Sequence, residues 1–106
     1  GFRPLTGQAL VQALQNGQID AANIFSTDPA IVVNDFVVLE DTEKLFGSQN
    51  MVPLVRAEVA DTVRDALDAV SAELTTERVT EMLRQTDVEQ RNPEDVAAEF
   101  LEQAGL

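Results

Sequence analysis

A chain of 106 residues that is 44% hydrophobic, with 19 acids against 7 bases and a formal charge of −12, can build one modest domain or one piece of a larger one. That charge leaves nothing to neutralise phosphates and is repelled by an anionic bilayer surface, so neither nucleic acid nor lipid headgroups are expected as partners. With no Cys and no His, the chain has no disulfide, no thiolate nucleophile or thiolate metal site, and lacks the commonest acid–base side chain.

The chain opens at Gly1-Phe2-Arg3-Pro4 without a Met, which reads as a fragment or a processed product. No apolar run approaches the ~18 residues that a bilayer span needs, and no signal peptide is visible. "LTGQALVQALQNGQID" predicts a helix, with Thr6 as N-cap and an inward stripe of Ala9, Leu10, Ala13 and Leu14. Gly17 is placed to end it in the left-handed conformation. Ile19 to Phe25 has the length and bulk of a buried strand. Thr27 or Asp28 then caps a short helix with Pro29 at its first position. Phe36 to Leu39, "FVVL", predicts a second buried strand. Both runs are apolar on both faces, as in a sheet covered by helices, so the alternation predicts an α/β fold.

"DTEKLFGSQN" reads as a loop, and "MVPLVR" as a short extended piece that Pro53 confines to an edge or a crossing. From Glu58 the pattern turns helical: Val59, Val63, Leu67, Val70 and Leu74 share a face opposite Asp61, Arg64, Asp65, Asp68 and Glu73. "LTTERVTEML" predicts a second helix capped by Thr75 or Thr76, with Val79, Met82 and Leu83 inward. "NPEDVAAEFLEQAGL" carries the plainest start signal, with Asn92 as cap, Pro93 in first position and Glu94 and Asp95 at the positive end of the dipole. Val96, Phe100 and Leu101 face inward, and Gly105 ends the helix. The composition shift places an architectural break near residues 48–52.

Catalysis is hard to assemble from these residues. Nucleophile–base pairs need His, Cys or an activated Lys, and the one Lys, Lys44, lies in a polar loop. Glu40-Asp41 reads as a solvated strand end before a catalytic pair. Asp35, Glu40, Asp41 and Glu43 could offer oxygen ligands to a hard cation, but without EF-hand spacing. Gly7 and Gly17 look like helix-end residues, with no phosphate loop around either. No catalytic residue, metal or cofactor is therefore assigned. Phe25 has two readings: a packed residue ending a strand, or an aromatic facing a cleft, where a ring face attracts quaternary ammonium groups.

The segments "ALVQALQNGQIDAANIFSTDPAI", "FVVLED", "NMVPLVR", "LTTERVTEML" and "NPEDVAAEFLEQAGL", in this order and spacing, resemble the C-terminal part of the substrate-binding proteins of osmoprotectant ABC transporters. These are the quaternary-amine receptors for glycine betaine, choline, carnitine and proline betaine. The resemblance implies part of a two-lobed periplasmic-binding-protein (type II) fold with short strands, about five helices and a helical C-terminal part. Residues 1–48 would belong to the second half of the inserted lobe, 49–57 to the inter-lobe crossing, and 58–106 to helices returning to the first lobe. In the family, a Tyr-Ser-Thr-Asp pattern often supplies a cage aromatic; here it is "FSTD", with Phe25 in the aromatic place. Aligning on Pro53 puts Gln49 where a second Tyr often sits, so an amide replaces a π face. The implied ligand contacts are Phe25, Ser26, Thr27, Gln49 and Asn50. The implied role is an extracytoplasmic, non-enzymatic solute receptor, periplasmic or anchored at the cell surface as a lipoprotein. It would close on a small zwitterion or quaternary ammonium solute and deliver it to a membrane permease. The competing expectation is an interaction module that forms an intertwined homodimer through its unpaired strand edges.

Overall fold

The start and stop signals of the sequence act locally, so they shape the backbone wherever the chain lies. A computed structural model describes residues 4–47 and 49–106; Gly1–Arg3 and Ser48, which the segment boundaries above include, lie outside the described residues. The elements in order are α1 (Gly7–Gln15), α2 (Ala30–Val33), α3 (Ala57–Glu73), α4 (Thr76–Leu83), a π-helical turn (Arg84–Val88) and α5 (Pro93–Ala104).

The caps show the chemistry at work. Thr75 accepts from the Arg78 amide through its hydroxyl, and Asn92 accepts from the Glu94 amide, with Pro93 in the first turn of α5. Gly105 closes α5 at φ 74, and Gly17 leaves the first helix at φ 65, the left-handed region where a Cβ is strained. Thr6 sits at the α1 N-cap, but its side chain makes no capping bond, and Gly7 enters the helix at φ 56. The buried stripe of α1 is rotated from the expected one: Ala13 is 3% exposed, Val11 joins Leu10 and Leu14 at half-burial, and Ala9 is exposed. An amide acceptor at an N-cap is worth about 1 kcal/mol, so Asn92→Ala is expected to lower stability by that amount, read from a urea midpoint with unchanged slope.

The expected α/β architecture is corrected by the structure. Among the described residues there is no strand; every regular element is helical. A strand exists only through hydrogen bonds to a neighbouring strand, and neither Ile19–Phe25 nor Phe36–Leu39 has such a partner. Phe36 donates its amide to the Ile31 carbonyl, a bond that closes the end of α2 instead of starting a ladder. The apolar bulk of these runs stays uncovered: Val37, Val38 and Leu39 are exposed, as are Met51, Val52 and Leu54 beyond the loop.

The dimensions follow from this. The Cα radius of gyration is 17.1 Å, with extents of 51 × 33 × 22 Å, against about 13 Å for a compact domain of this length. The accessible surface is 8705 Å² for 11.5 kDa, where a compact monomer would show about 5,800 Å². The apolar core among the described residues is small: Ala13, Val79 and Val96 are the buried hydrophobic side chains, with Pro29 buried beside α2. Val79 and Val96 hold the C-terminal unit, in which α4 runs into the π turn and Arg91 returns to it. The Arg91 amide donates to the Gln85 carbonyl at 2.9 Å, and its guanidinium donates to the Gln85 side chain and to Glu99.

Arg84 ties the same corner. Its guanidinium donates to both oxygens of Glu81, at 2.8 and 2.7 Å, and to Glu89 at 2.6 Å. The bonds from Arg84, with one from Gln85, hold the Glu81 carboxyl at about 2, below its ordinary 4.5. A carboxyl with a depressed folded pKa contributes stability above its unfolded pKa and loses it as pH falls through the folded value. Thermal midpoints should therefore decline between about pH 4.5 and pH 2, and Glu81→Gln should flatten part of that decline. The pair is solvent-exposed, so the effect is small beside the loss of a buried apolar residue.

Candidate small-molecule site

The stretch "FSTD" folds as a β-turn. The Asp28 amide donates to the Phe25 carbonyl at 2.9 Å, which puts Ser26 and Thr27 at the corner and Phe25 and Asp28 at its two ends. Asp28 then braces the next segment: its Oδ1 accepts from the Ala30 amide at 2.9 Å, an Asx-turn that leads through the buried Pro29 into α2. Asn34 closes that short helix by donating its side-chain amide to the Ala30 carbonyl.

Against this turn lies a cavity of about 550 Å³, within the range of small-molecule sites. One wall is α1 and its entry, with Leu10 and Val11 presented inward. The other is Ile19 with the run from Ala21 to Ile24, and Phe25 and Asp28 complete it. Among the described residues the lining is aliphatic apart from one aromatic ring, one carboxylate, Thr6 and Asn23. Phe25 is 71% exposed, so its ring is available to a solute and is not committed to a core. Such a cavity can desolvate an alkylated cation along its apolar walls and offer it a ring face and a counter-charge.

Of the residues expected to contact ligand, the structure puts Phe25 in the cavity wall. Ser26 and Thr27 lie at the turn corner and do not line it; Ser26 is exposed and Thr27 half-buried. Gln49 and Asn50 are exposed and also absent from the lining. Asp28, Leu10, Val11 and Ile24 were not expected to form a wall. For Asp28 the signal was present in "FSTDP", because an Asp side chain accepts from the backbone amide two residues on and so marks a turn.

A second groove, about 230 Å³, lies between α4 and α5 over Met82, Val96 and Phe100. Most of its charged groups are already engaged. The Arg78 guanidinium stands 5.9 Å from the Phe100 ring centre, Glu81 is held by Arg84, and Glu99 by Arg91. The loop carboxylate Asp41 is likewise occupied: it accepts from the Phe46 amide at 2.8 Å, and this bond is the main cause of its lowered pKa. Among the described residues, no three acidic side chains converge where a metal ion could sit.

A cavity of this size with one ring and one acid has the dimensions of a small-molecule site. Residues 2–103 match the family described as the substrate binding domain of the ABC-type glycine betaine transport system, and the chain belongs to that family. That family is a non-enzymatic component of transport, and the substrate-binding proteins of ABC importers work outside the cytoplasm. The chain is also similar to the ergothioneine transport permease/ergothioneine binding protein EgtU of Helicobacter pylori (strain G27), with 26% identity over 98 residues. The match covers 90% of this chain and 18% of that protein. No solved structure matches the chain significantly. No helix among the described residues is long and apolar enough to cross a membrane.

Proposed function

We propose that this chain forms part of the solute receptor of an ABC importer, and that it takes the trimethylammonium group of a small quaternary amine against Phe25. The observation that carries this reading is an exposed ring in the wall of a mostly aliphatic cavity, in a chain of the glycine betaine receptor family. Glycine betaine and ergothioneine, named for the family and for the similar protein, are both trimethylammonium carboxylates, so both names support the same headgroup. Ser26, Thr27, Gln49 and Asn50 would reach the solute only if the crossing segment 49–57 closes over the turn, as a hinge between lobes would. Delivery would be to a membrane permease outside the cytoplasm.

The test is the thermal midpoint of the protein with millimolar glycine betaine, choline, carnitine, proline betaine and ergothioneine. A solute at ~100 times its dissociation constant adds roughly 2.7 kcal/mol, a rise of several degrees for a domain of this length. A rise with at least one of these amines is expected. No rise with any of them, while an unrelated solute raises the midpoint, would end the quaternary-amine reading.

Uncovered apolar residues favour a second reading, a self-associating module. Leu54 is 95% exposed and Val37 84%, and large exposed apolar surface marks interaction sites. Sedimentation velocity separates the two. A dimer that forms at micromolar concentration and ignores every amine supports association as the function, and a monomer that binds an amine supports the receptor.

A further inference from the structure

The run that forms one cavity wall carries a polar side chain on the same side as its ring. Exposure alternates along it: Ala21, Asn23 and Phe25 are exposed, while Ala22 and Ile24 are half-buried. Successive side chains of an extended run point to opposite sides, so Asn23 and Phe25 share a side, about 6–7 Å apart along the backbone. Both line the cavity. The Asn23 amide brings a pair of N–H donors, and because the residue is exposed it can exchange water for a solute oxygen without giving up a buried bond. Among the described lining residues the other side-chain donor is Thr6, on the α1 wall, while Asp28, when ionised, only accepts.

Resting on the solute-binding reading above, we infer that Asn23 is the specificity-determining residue for the polar end of the solute: its amide N–H donates to the carboxylate of a trimethylammonium zwitterion whose headgroup lies on Phe25. A neutral donor suits such a zwitterion, because it meets the carboxylate without adding a charge that would act on the ammonium. An acid at the same point would reverse the preference, repelling the carboxylate and attracting a solute that is only a cation.

The experiment is a calorimetric titration of the full chain with two zwitterions, glycine betaine and ergothioneine, and with choline chloride, in the parent protein, Asn23→Ala and Asn23→Asp. Asn23 is exposed, so unchanged thermal midpoints are expected of both variants. The parent binds at least one of the zwitterions. Asn23→Ala weakens that zwitterion roughly three- to tenfold, the worth of one exposed hydrogen bond. Asn23→Asp weakens it about tenfold or more, and leaves choline unchanged or tighter. The inference is overturned if Asn23→Asp shifts zwitterion and choline alike or moves neither, or if the zwitterion is lost through Thr6→Val while Asn23→Asp is silent. A parent that binds some quaternary amine and rejects both zwitterions overturns the inference alone and leaves the receptor reading standing. If no quaternary amine binds the parent, the receptor reading itself fails and this inference with it.

Discussion

Val96→Asp is expected to unfold the C-terminal helical unit. Val96 is 4% exposed, in the first turn of α5, and shares the floor of the groove between α4 and α5 with Met82 and Phe100. Removing its methyl groups alone would cost about 1–2 kcal/mol. A carboxylate in their place has no cation to meet, because Arg78 rests on Phe100, and Arg84 and Arg91 already hold Glu81, Glu89 and Glu99. An unpaired buried charge adds several kcal/mol more. Asp in the first turn of a helix gains at most about 1 kcal/mol from the dipole, too little to offset this. The measurable result is a loss of far-UV helical signal at 25 °C. Val37→Asp is the matched control: at 84% exposure the same change should move stability by less than about 0.5 kcal/mol.

The second large effect falls on binding and spares stability. Phe25→Ala should leave the urea midpoint within about 0.5 kcal/mol of the parent, because a ring 71% exposed contributes little burial. The same change removes the aromatic ring of the cavity wall. A ring face under an ammonium is worth about 0.5–1 kcal/mol when exposed and about 2 or more when desolvated. Affinity for a trimethylammonium solute should therefore fall roughly 2- to 30-fold. Phe25→Tyr should keep most of the affinity, since the π face survives. A Phe25→Ala protein that unfolds easily would show instead that the ring is structural.

These two residues also mark how far the sequence could be read. Helix limits are local chemistry, and Asn92-Pro93, Thr75, Gly17 and Gly105 each act in the structure as their residue types require. The inward positions of α5 are set by a period of 3.6, so Val96 could be named before any coordinates. The strands could not be so fixed. An apolar run such as "FVVL" has the capacity to pair, but its partner is a non-local property, and the described chain supplies none. The π turn at Arg84–Val88 and its arginine–glutamate network were hidden for a related reason: charged residues on a helix face look solvated until the backbone bends to bring Arg84 onto Glu81 and Glu89. Asp28 was visible as a helix cap, and it is one. That it also lines the cavity with Phe25 depends on where α1 lies, which is not a local property.

The most direct test of the account is a search for nuclear Overhauser contacts between the N-methyl protons of a bound quaternary amine and ring protons of the protein, with the Phe25 resonances assigned through Phe25→Leu. Contacts from the N-methyl protons to the Phe25 ring, together with methyl groups of Leu10, Val11 or Ile24, are predicted. A saturating amine whose contacts fall on Phe100 or Phe46 while the Phe25 ring stays silent would contradict the assignment of this cavity as the binding site.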